Sequence, residues 1–221
     1  MQVIAFIKNS MDGCLSTNGL AWYITTREVN ILFLTGNAEG FLNHIKMLGI
    51  PTDEIDIVLL AQECWNAVRE LECFLKYNRK GKVYLPRLDY ETHLQALYYK
   101  LRNYANIDFL TQLKGRIVFM DEVDNIGNGI QVFTEKSKGS EQIIQQSRNL
   151  ILSEGKMQIL FSGNKKNATD CIQEKAEFIS GKKMDYFFYW KESHECIEKN
   201  CMTCEKNELP FGQAISIDTQ L

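Results

Sequence analysis

The segment DIVLLAQECWNAVREL, residues 56–71, brings together the side-chain types in this chain that could do chemistry. Its apolar first part predicts a buried strand that ends at Ala61, and its second part has apolar residues at helical spacing from Trp65 onward. The junction offers two amides, a carboxylate and a thiol, with no histidine: Gln62, Asn66, Glu63 and Cys64. Such junctions hold the ligand site in many α/β proteins, so this one is either an unusual active site or one that has lost its chemistry.

Cys64 is the candidate nucleophile of this segment. A position near a helix N-terminus can lower the pKa of a thiol and so favour the thiolate. No base lies near it in sequence, because the three histidines of the chain are His44, His93 and His194. A buried, inert thiol is therefore the favoured interpretation, and we assign no catalytic residue.

Apolar runs bounded by turn residues predict an alternation of strands and helices. In the first half we expect strands at 2–8, 19–25, 28–35, 56–61 and 82–86. We also expect a helix between Gly36 and Pro51, and a second helix over about 63–78 that Gly81 ends. Residues 89–113 are predicted to be helical. The second half has four strand-like runs between 115 and 163, then a helix and a strand. Its order of strand, helix and strand, from ILFSG to SGKKMDYFFY, repeats the order from ILFLTG to GIPTDEIDIVLL in the first half. This internal echo predicts two sheets packed face to face.

The ordered segments carry a family resemblance that runs through nearly the whole chain. They are GLAWYITTREVNILFLTG, LNHIKMLGIPTDEIDIVLL, GKVYLP, RIVFMDEVDNIGNGIQVFTE, RNLILSEGKMQILFSG and CIQEKAEFISGKKMDYFFY. In this order they resemble the metallo-β-lactamase fold superfamily, and within it the branch of stand-alone hydrolase-like proteins related to a dihydropterin phosphate synthase. The resemblance implies a mixed α/β (α+β) chain folded as a four-layer αββα sandwich, with two mixed sheets and the helices outside.

The resemblance also implies a metal centre, which this chain does not match. The family binds one or two metals through a His-x-His-x-Asp-His motif just after a strand. At the matching positions this chain has Gln62, Cys64, Asn66 and Ala67, with Leu34 in place of the aspartate of an FDTG motif and Lys166 in place of a later histidine. Zinc prefers imidazole, carboxylate and thiolate ligands, so of these residues only Cys64 ligates well. We therefore expect a degenerate site without metal.

The same residues could still form a ligand-binding cleft. If the fold is as the resemblance implies, Gln62, Asn66, Asn164 and Lys166 converge near the turns at Gly36 and Gly163. Amides, a lysine and glycine turns suit a small anionic ligand. The predicted cleft comprises Gln62, Glu63, Cys64, Asn66, Asn164, Lys166 and Glu192. The alternative is a closed cleft filled by its own side chains.

The C-terminal segment SHECIEKNCMTCEKNELPFG contains a second cluster of metal-ligand residue types. They are His194, Cys196, Cys201 and Cys204. Four such ligands within one short segment could form a closed, structural zinc site, although the spacing is not a standard finger pattern. Free thiols are the alternative. No other cofactor is expected.

The composition and net charge of the chain disfavour nucleic-acid and membrane partners. A net charge of −3 and a pI near 5.7 give no basic field for nucleic acid. No apolar run reaches the roughly 18 residues that a membrane span needs, so we expect no membrane partner. The chain has seven cysteines and no secretory signal, which favours reduced thiols or metal binding over disulfides. We therefore expect a cytoplasmic protein. Tyrosines within 96–104 could form a homodimer surface, with core packing as the alternative.

These observations predict one domain over 1–221, with pseudo-repeat halves of about 1–110 and 111–221. The leading interpretation is a non-catalytic pseudo-enzyme that binds a small molecule or a protein through the cleft. One alternative is a metal-dependent hydrolase-like enzyme with a displaced or atypical site. Another is an interaction module with a zinc-stabilised Cys/His tail.

Overall fold

Two seven-stranded sheets form the centre of the protein in the computed structural model. The residues that it describes are 1–7, 19–36, 41–61, 68–86, 115–138, 144–162, 169–191, 194–199, 207–208 and 214–217. The first sheet contains β1 (Gln2–Ile7), β2 (Gly19–Thr25), β3 (Asn30–Gly36), β4 (Ile57–Leu60), β5 (Lys82–Pro86), β6 (Ile117–Met120) and β14 (Ala214–Ser216). The second contains β7 (Val123–Gly127), β8 (Ile130–Lys138), β9 (Ile144–Glu154), β10 (Met157–Phe161), β11 (Tyr186–Lys191), β12 (His194–Lys199) and β13 (Asn207–Glu208).

The first sheet has the order β14-β1-β2-β3-β4-β5-β6. The pairs from β3 to β6 are parallel, and the pairs from β14 to β3 are antiparallel. All four residues of β4, IVLL, are buried, which is typical of a parallel strand covered on both faces.

The second sheet has the order β13-β12-β11-β10-β9-β8-β7, and only its β10–β11 pair is parallel. β9 has 11 residues, whereas its neighbour β10 has 5. β10 pairs with the C-terminal part of β9 only, from Glu154 to Leu150. The N-terminal part of β9 therefore extends past the end of β10.

Three α-helices within the described ranges cover the outer faces of the sheets. The helices α1 (Phe41–Met47) and α2 (Val68–Tyr77) pack on the first sheet, and α3 (Thr169–Ser180) packs on the second. A separate apolar cluster, which includes Trp22, Phe33 and Phe161, fills the space between the sheets. The arrangement of the described residues is an αββα sandwich of two mixed sheets, so the predicted fold class is confirmed.

The two halves of the sequence do not each make one sheet. β6 and β14 come from the second half, yet both join the first sheet. The division into halves at about residue 110 stays a prediction. No helix within the described ranges is long and apolar enough to span a bilayer.

The β7–β8 hairpin contains an Asn-Gly turn that depends on its glycine. Gly129 has φ +71°, and a Cβ there would collide with the backbone carbonyl oxygen of Ser153. We expect Gly129→Ala to lower the free energy of unfolding by at least about 2 kcal/mol, because it combines left-handed strain with a backbone collision. Urea unfolding would measure this loss. Gly49→Ala is the matched control, since Gly49 has φ +66° and open space around the added Cβ. Equal losses in the two variants would contradict the prediction.

Candidate cleft at the ends of β3, β4 and β10

The inner face of the second sheet changes from apolar to polar toward one end of the sandwich. Side chains alternate between the faces of a strand, so every second residue of β8 and β9 lies on the inner face. Along that face the paired residues are Ile130 with Leu152, Val132 with Leu150, and Thr134 with Arg148. The first two pairs belong to the apolar cluster between the sheets, whereas the third consists of a hydroxyl and a guanidinium.

The first sheet shows the same change at the same end. Ile31 and Phe33 on β3 belong to the apolar cluster between the sheets, and Thr35 follows them on that face. Ile57 and Leu59 of β4 are followed on that face by Ala61, the first residue after the strand. The small and polar residues at this end are therefore a property of both sheets.

A hydrogen bond joins the two sheets at this end. The backbone N–H of Arg148 donates to the carbonyl oxygen of Ala61 at 2.7 Å. This contact is available because β10 pairs with β9 only as far as Leu150 and leaves the Arg148 amide without a β10 partner. The ends of β3, β4 and β10 thus lie at one edge of the sandwich, as the sequence predicted for Gly36 and Ala61. Gly163, the third predicted strand end, lies outside the described residues.

Arg148 is the residue at this edge that sequence reasoning missed. It is only 2% exposed although it carries a charge, and it has further interactions within the chain. A signal existed in the sequence, because Arg148 lies two residues before Leu150 in a run that alternates toward the core. An arginine on the inner face of a strand is unusual, and it brings a fixed positive charge to this edge.

Thr134 lies beside Arg148 on the neighbouring strand. It is 4% exposed, and its Oγ1 has no hydrogen-bond partner among the described residues. Its carbonyl oxygen accepts a hydrogen bond of 2.8 Å from Lys175 Nζ, which also forms an ion pair with Glu135 at 3.5 Å. The lysine of α3 therefore fixes β8 from the outer side, while the hydroxyl of Thr134 lies on the inner face.

Comparisons with known proteins address the fold. No protein-family model and no curated protein matches the sequence. Among solved structures, one similar protein is a Thermotoga maritima protein classed with the metallo-β-lactamases. The superposition covers 86% of this chain and 98% of that protein, with 15% sequence identity and a TM-score of 0.51. Another is the metallo-β-lactamase fold protein YhfI from Bacillus subtilis. Its superposition covers 84% of this chain and 69% of YhfI, with 11% sequence identity and a TM-score of 0.50.

A third similar structure is the short form of human tRNase Z. Its superposition covers 76% of this chain and 70% of the tRNase Z chain, with 12% sequence identity and a TM-score of 0.50. The chain has the metallo-β-lactamase fold. At these identities the likeness concerns the fold alone, and the narrower resemblance to the dihydropterin-related branch stays a prediction.

Most of the predicted site residues of this metallo-β-lactamase-fold chain lie outside the described residues. They are Gln62, Glu63, Cys64, Asn66, Asn164, Lys166 and Glu192 in the predicted cleft, with Cys201 and Cys204 in the tail. His194 and Cys196 lie in β12, of which only the backbone is described. Leu34 is fully buried on the outer face of the first sheet, in the cluster with α1 and α2, so it does not line the cleft.

The described residues do not offer a metal site. Within the described ranges no three His, Cys, Asp or Glu side chains come together in a way that could hold a metal ion. The donor set predicted just after β4 contains one competent ligand, Cys64, and the buried Arg148 adds a positive charge at the same edge. These residues do not fit the metal centre that the fold family implies.

The displaced pKa values of the described residues have structural causes. Burial raises the pKa of Tyr23 and of Tyr84. The hydrogen bond to Asp56 raises the pKa of Lys80. Burial lowers the pKa of Arg116. None of these four groups belongs to the Thr134–Arg148 pair on the inner face of the second sheet.

Proposed function

We propose that this chain is a non-catalytic protein of the metallo-β-lactamase fold that binds a small anionic molecule in the cleft at the ends of β3, β4 and β10. The observation that carries the proposal is the burial of Arg148 at this edge, one backbone hydrogen bond away from the end of β4. Its guanidinium would supply the positive charge that a metal supplies in the family's enzymes.

The charge argument favours an anion and disfavours a metal. An arginine about 6 Å from a divalent ion, at an effective dielectric of about 20, adds roughly 5 kcal/mol of repulsion. The same guanidinium favours a carboxylate or phosphate, because its planar fork matches two oxygens at once. The predicted amides Gln62, Asn66 and Asn164, together with Lys166, would add hydrogen-bond donors to the same cleft.

Calorimetric titration with inorganic phosphate and pyrophosphate tests this function. We expect saturable binding to the unmodified chain, and a roughly 10- to 100-fold loss of affinity in Arg148→Met, which removes a charged hydrogen-bond donor and keeps much of the side-chain length. Arg148→Lys should retain part of the affinity. Lys156→Met is the matched control, because it removes one positive charge from the exposed turn after β9. Equal binding by Arg148→Met and the unmodified chain would refute the assignment.

Metal analysis tests the loss of the old centre. After incubation with zinc or manganese and desalting, we expect the Cys201→Ser/Cys204→Ser variant to hold no stoichiometric metal and to cleave no lactam, thioester or phosphodiester. The double substitution removes the proposed tail ligands, so any zinc that the unmodified chain binds and this variant loses belongs to the tail. Metal retained by the variant but lost on Cys64→Ser would favour an atypical hydrolase instead.

A further inference from the structure

A groove lies at the end of the sandwich opposite to the cleft. It has a volume of about 350 Å³ and is formed by three turns: β2–β3, β7–β8 and β9–β10. The charged residues that line it are Arg27, Glu28 and Glu154, and Thr26, Gly129 and Gly155 line it as well. Glu154 is six residues along β9 from Arg148, which at about 3.3 Å per residue separates the groove from the cleft by about 20 Å.

Glu154 brings a buried carboxylate to this groove. It is only 8% exposed and follows Leu152 on the inner face of β9, so its side chain lies between the two sheets where the groove opens. Neither Oε1 nor Oε2 has a hydrogen-bond partner among the described residues. A carboxylate buried in such a place is unfavourable unless a cation or hydrogen-bond donors compensate it.

The groove's own side chains leave that carboxylate uncompensated. The hydroxyl of Thr26 donates to the carbonyl oxygen of Val29 and accepts from the Glu28 amide, so it is already used. The hydroxyl of Ser153 donates to Gln158 at 2.7 Å. Arg27 is exposed, and within the part of the chain that the structure describes it forms no ion pair with Glu154.

We propose that this groove binds a small organic cation, with an ammonium or guanidinium head that pairs with the Glu154 carboxylate. Of the three charged residues in the groove, Glu28 and Glu154 are acidic and Arg27 is basic, so the groove favours a cation. The volume is near the lower end of the range for small-molecule sites, about 300–1,000 Å³. The site is independent of the anion cleft proposed above.

The donor set favours an organic cation over a metal ion. Calcium takes roughly six to eight oxygen ligands, and magnesium needs a near-ideal octahedron. The groove has two carboxylates, and no group of three metal-ligating side chains occurs among the described residues. A guanidinium or ammonium needs only the carboxylate and a few acceptors.

The test uses n-butylguanidinium, with n-butylurea as a neutral ligand of similar shape. We expect the unmodified chain to bind the cation saturably by calorimetry and the urea far more weakly. Glu154→Gln, which keeps the shape and removes the charge, should weaken cation binding roughly 10- to 100-fold. In the absence of ligand the same variant should melt at a higher temperature than the unmodified chain, because it no longer buries an uncompensated charge.

Two further measurements keep the test independent of that variant. Arg27→Gln removes the competing cation and should bind n-butylguanidinium more tightly. In the unmodified chain the amide resonances of Gly129 and Gly155 should shift with the cation and not with the urea. Absence of saturable binding, equal affinity in Glu154→Gln, or resonance shifts confined to other parts of the chain would overturn the proposal.

Discussion

Asn78→Ala is expected to lower the free energy of unfolding by about 3–5 kcal/mol, because it removes several buried hydrogen bonds at once. Asn78 is fully buried at the end of α2. Its amide nitrogen donates to the carbonyl oxygens of Thr52 and Ile55 at 2.8 and 2.6 Å. Its side-chain oxygen accepts from the amides of Lys80 and Gly81 and from Arg116 Nη2, at 3.1, 2.6 and 3.0 Å.

These contacts connect segments that are far apart in sequence. Asn78 joins the turn before β4 to the turn before β5, and Arg116 adds hydrogen bonds to the carbonyl oxygens of Gly81 and Asn78 just before β6 begins. The starts of three parallel strands are therefore fixed through one amide. Replacing it by a methyl group leaves buried donors and acceptors without partners.

Asn78→Asp is the matched variant for this prediction. It keeps the oxygen that accepts from Gly81 and Arg116, and it loses both donated hydrogen bonds. We expect an intermediate loss, because the carboxylate gains attraction to Arg116 but faces the carbonyl oxygens of Thr52 and Ile55. Urea unfolding followed by circular dichroism would measure all three proteins. A loss below about 1 kcal/mol for Asn78→Ala would contradict the role assigned to this residue.

The same region shows why helix ends are hard to predict from sequence. The pattern predicted that Gly81 ends the second helix, but α2 ends at Tyr77 and Gly81 lies in the following turn. Glycine is required there for a different reason, because a Cβ would approach the carbonyl oxygen of Ile55 to 2.7 Å. That neighbour is 26 residues away in the chain, and no local pattern reveals it.

The predicted strands with strong apolar runs were correct in position. IVLL in β4 and MQILF in β10 are fully buried, and the periodicity of the sequence was sufficient to find them. Four strands were not predicted: β7, β12, β13 and β14. Of these, β7 has a weak apolar pattern, VDNIG, and β13 is only two residues, NE. Their pairing to β8 and β12 holds them in the sheet, and a pairing partner is not a property of the strand's own sequence.

The sequence predicted the edge at which β3 and β4 end together, whereas the cleft itself stays a prediction. The resemblance located it after β4, and the alternation of apolar residues in the strands agrees with that edge. Arg148 was overlooked although the predicted strand-like run SRNLILSEG contains it, because the candidate residues were sought only at the strand ends that the family's metal motif follows. The alternation toward Leu150 indicates the inner face, and the burial of Arg148 in the structure shows that this arginine is inside the sandwich.

Phe161→Ala should lower the free energy of unfolding by about 3–5 kcal/mol, because it opens a cavity beside the cleft. Phe161 is fully buried and is the last residue of β10. Its ring stacks on that of Phe188 with centroids 4.6 Å apart and meets the Trp22 ring edge-on at 5.8 Å. These three rings belong to the apolar cluster between the two sheets, and the surrounding strands cannot close the gap without losing their pairing.

Trp22→Phe is the informative companion, because it also shortens a fully buried ring in the same cluster. The Trp22 Nε1 is buried without a hydrogen-bond partner among the described residues, so the substitution removes an uncompensated polar group together with apolar contacts. We therefore expect Trp22→Phe to cost clearly less than Phe161→Ala, with Phe161→Leu between the two. Thermal and urea unfolding of the three variants would rank them. If Trp22→Phe proves the most destabilising, the indole N–H has an acceptor in solution and the cluster depends on that hydrogen bond rather than on the volume of its rings.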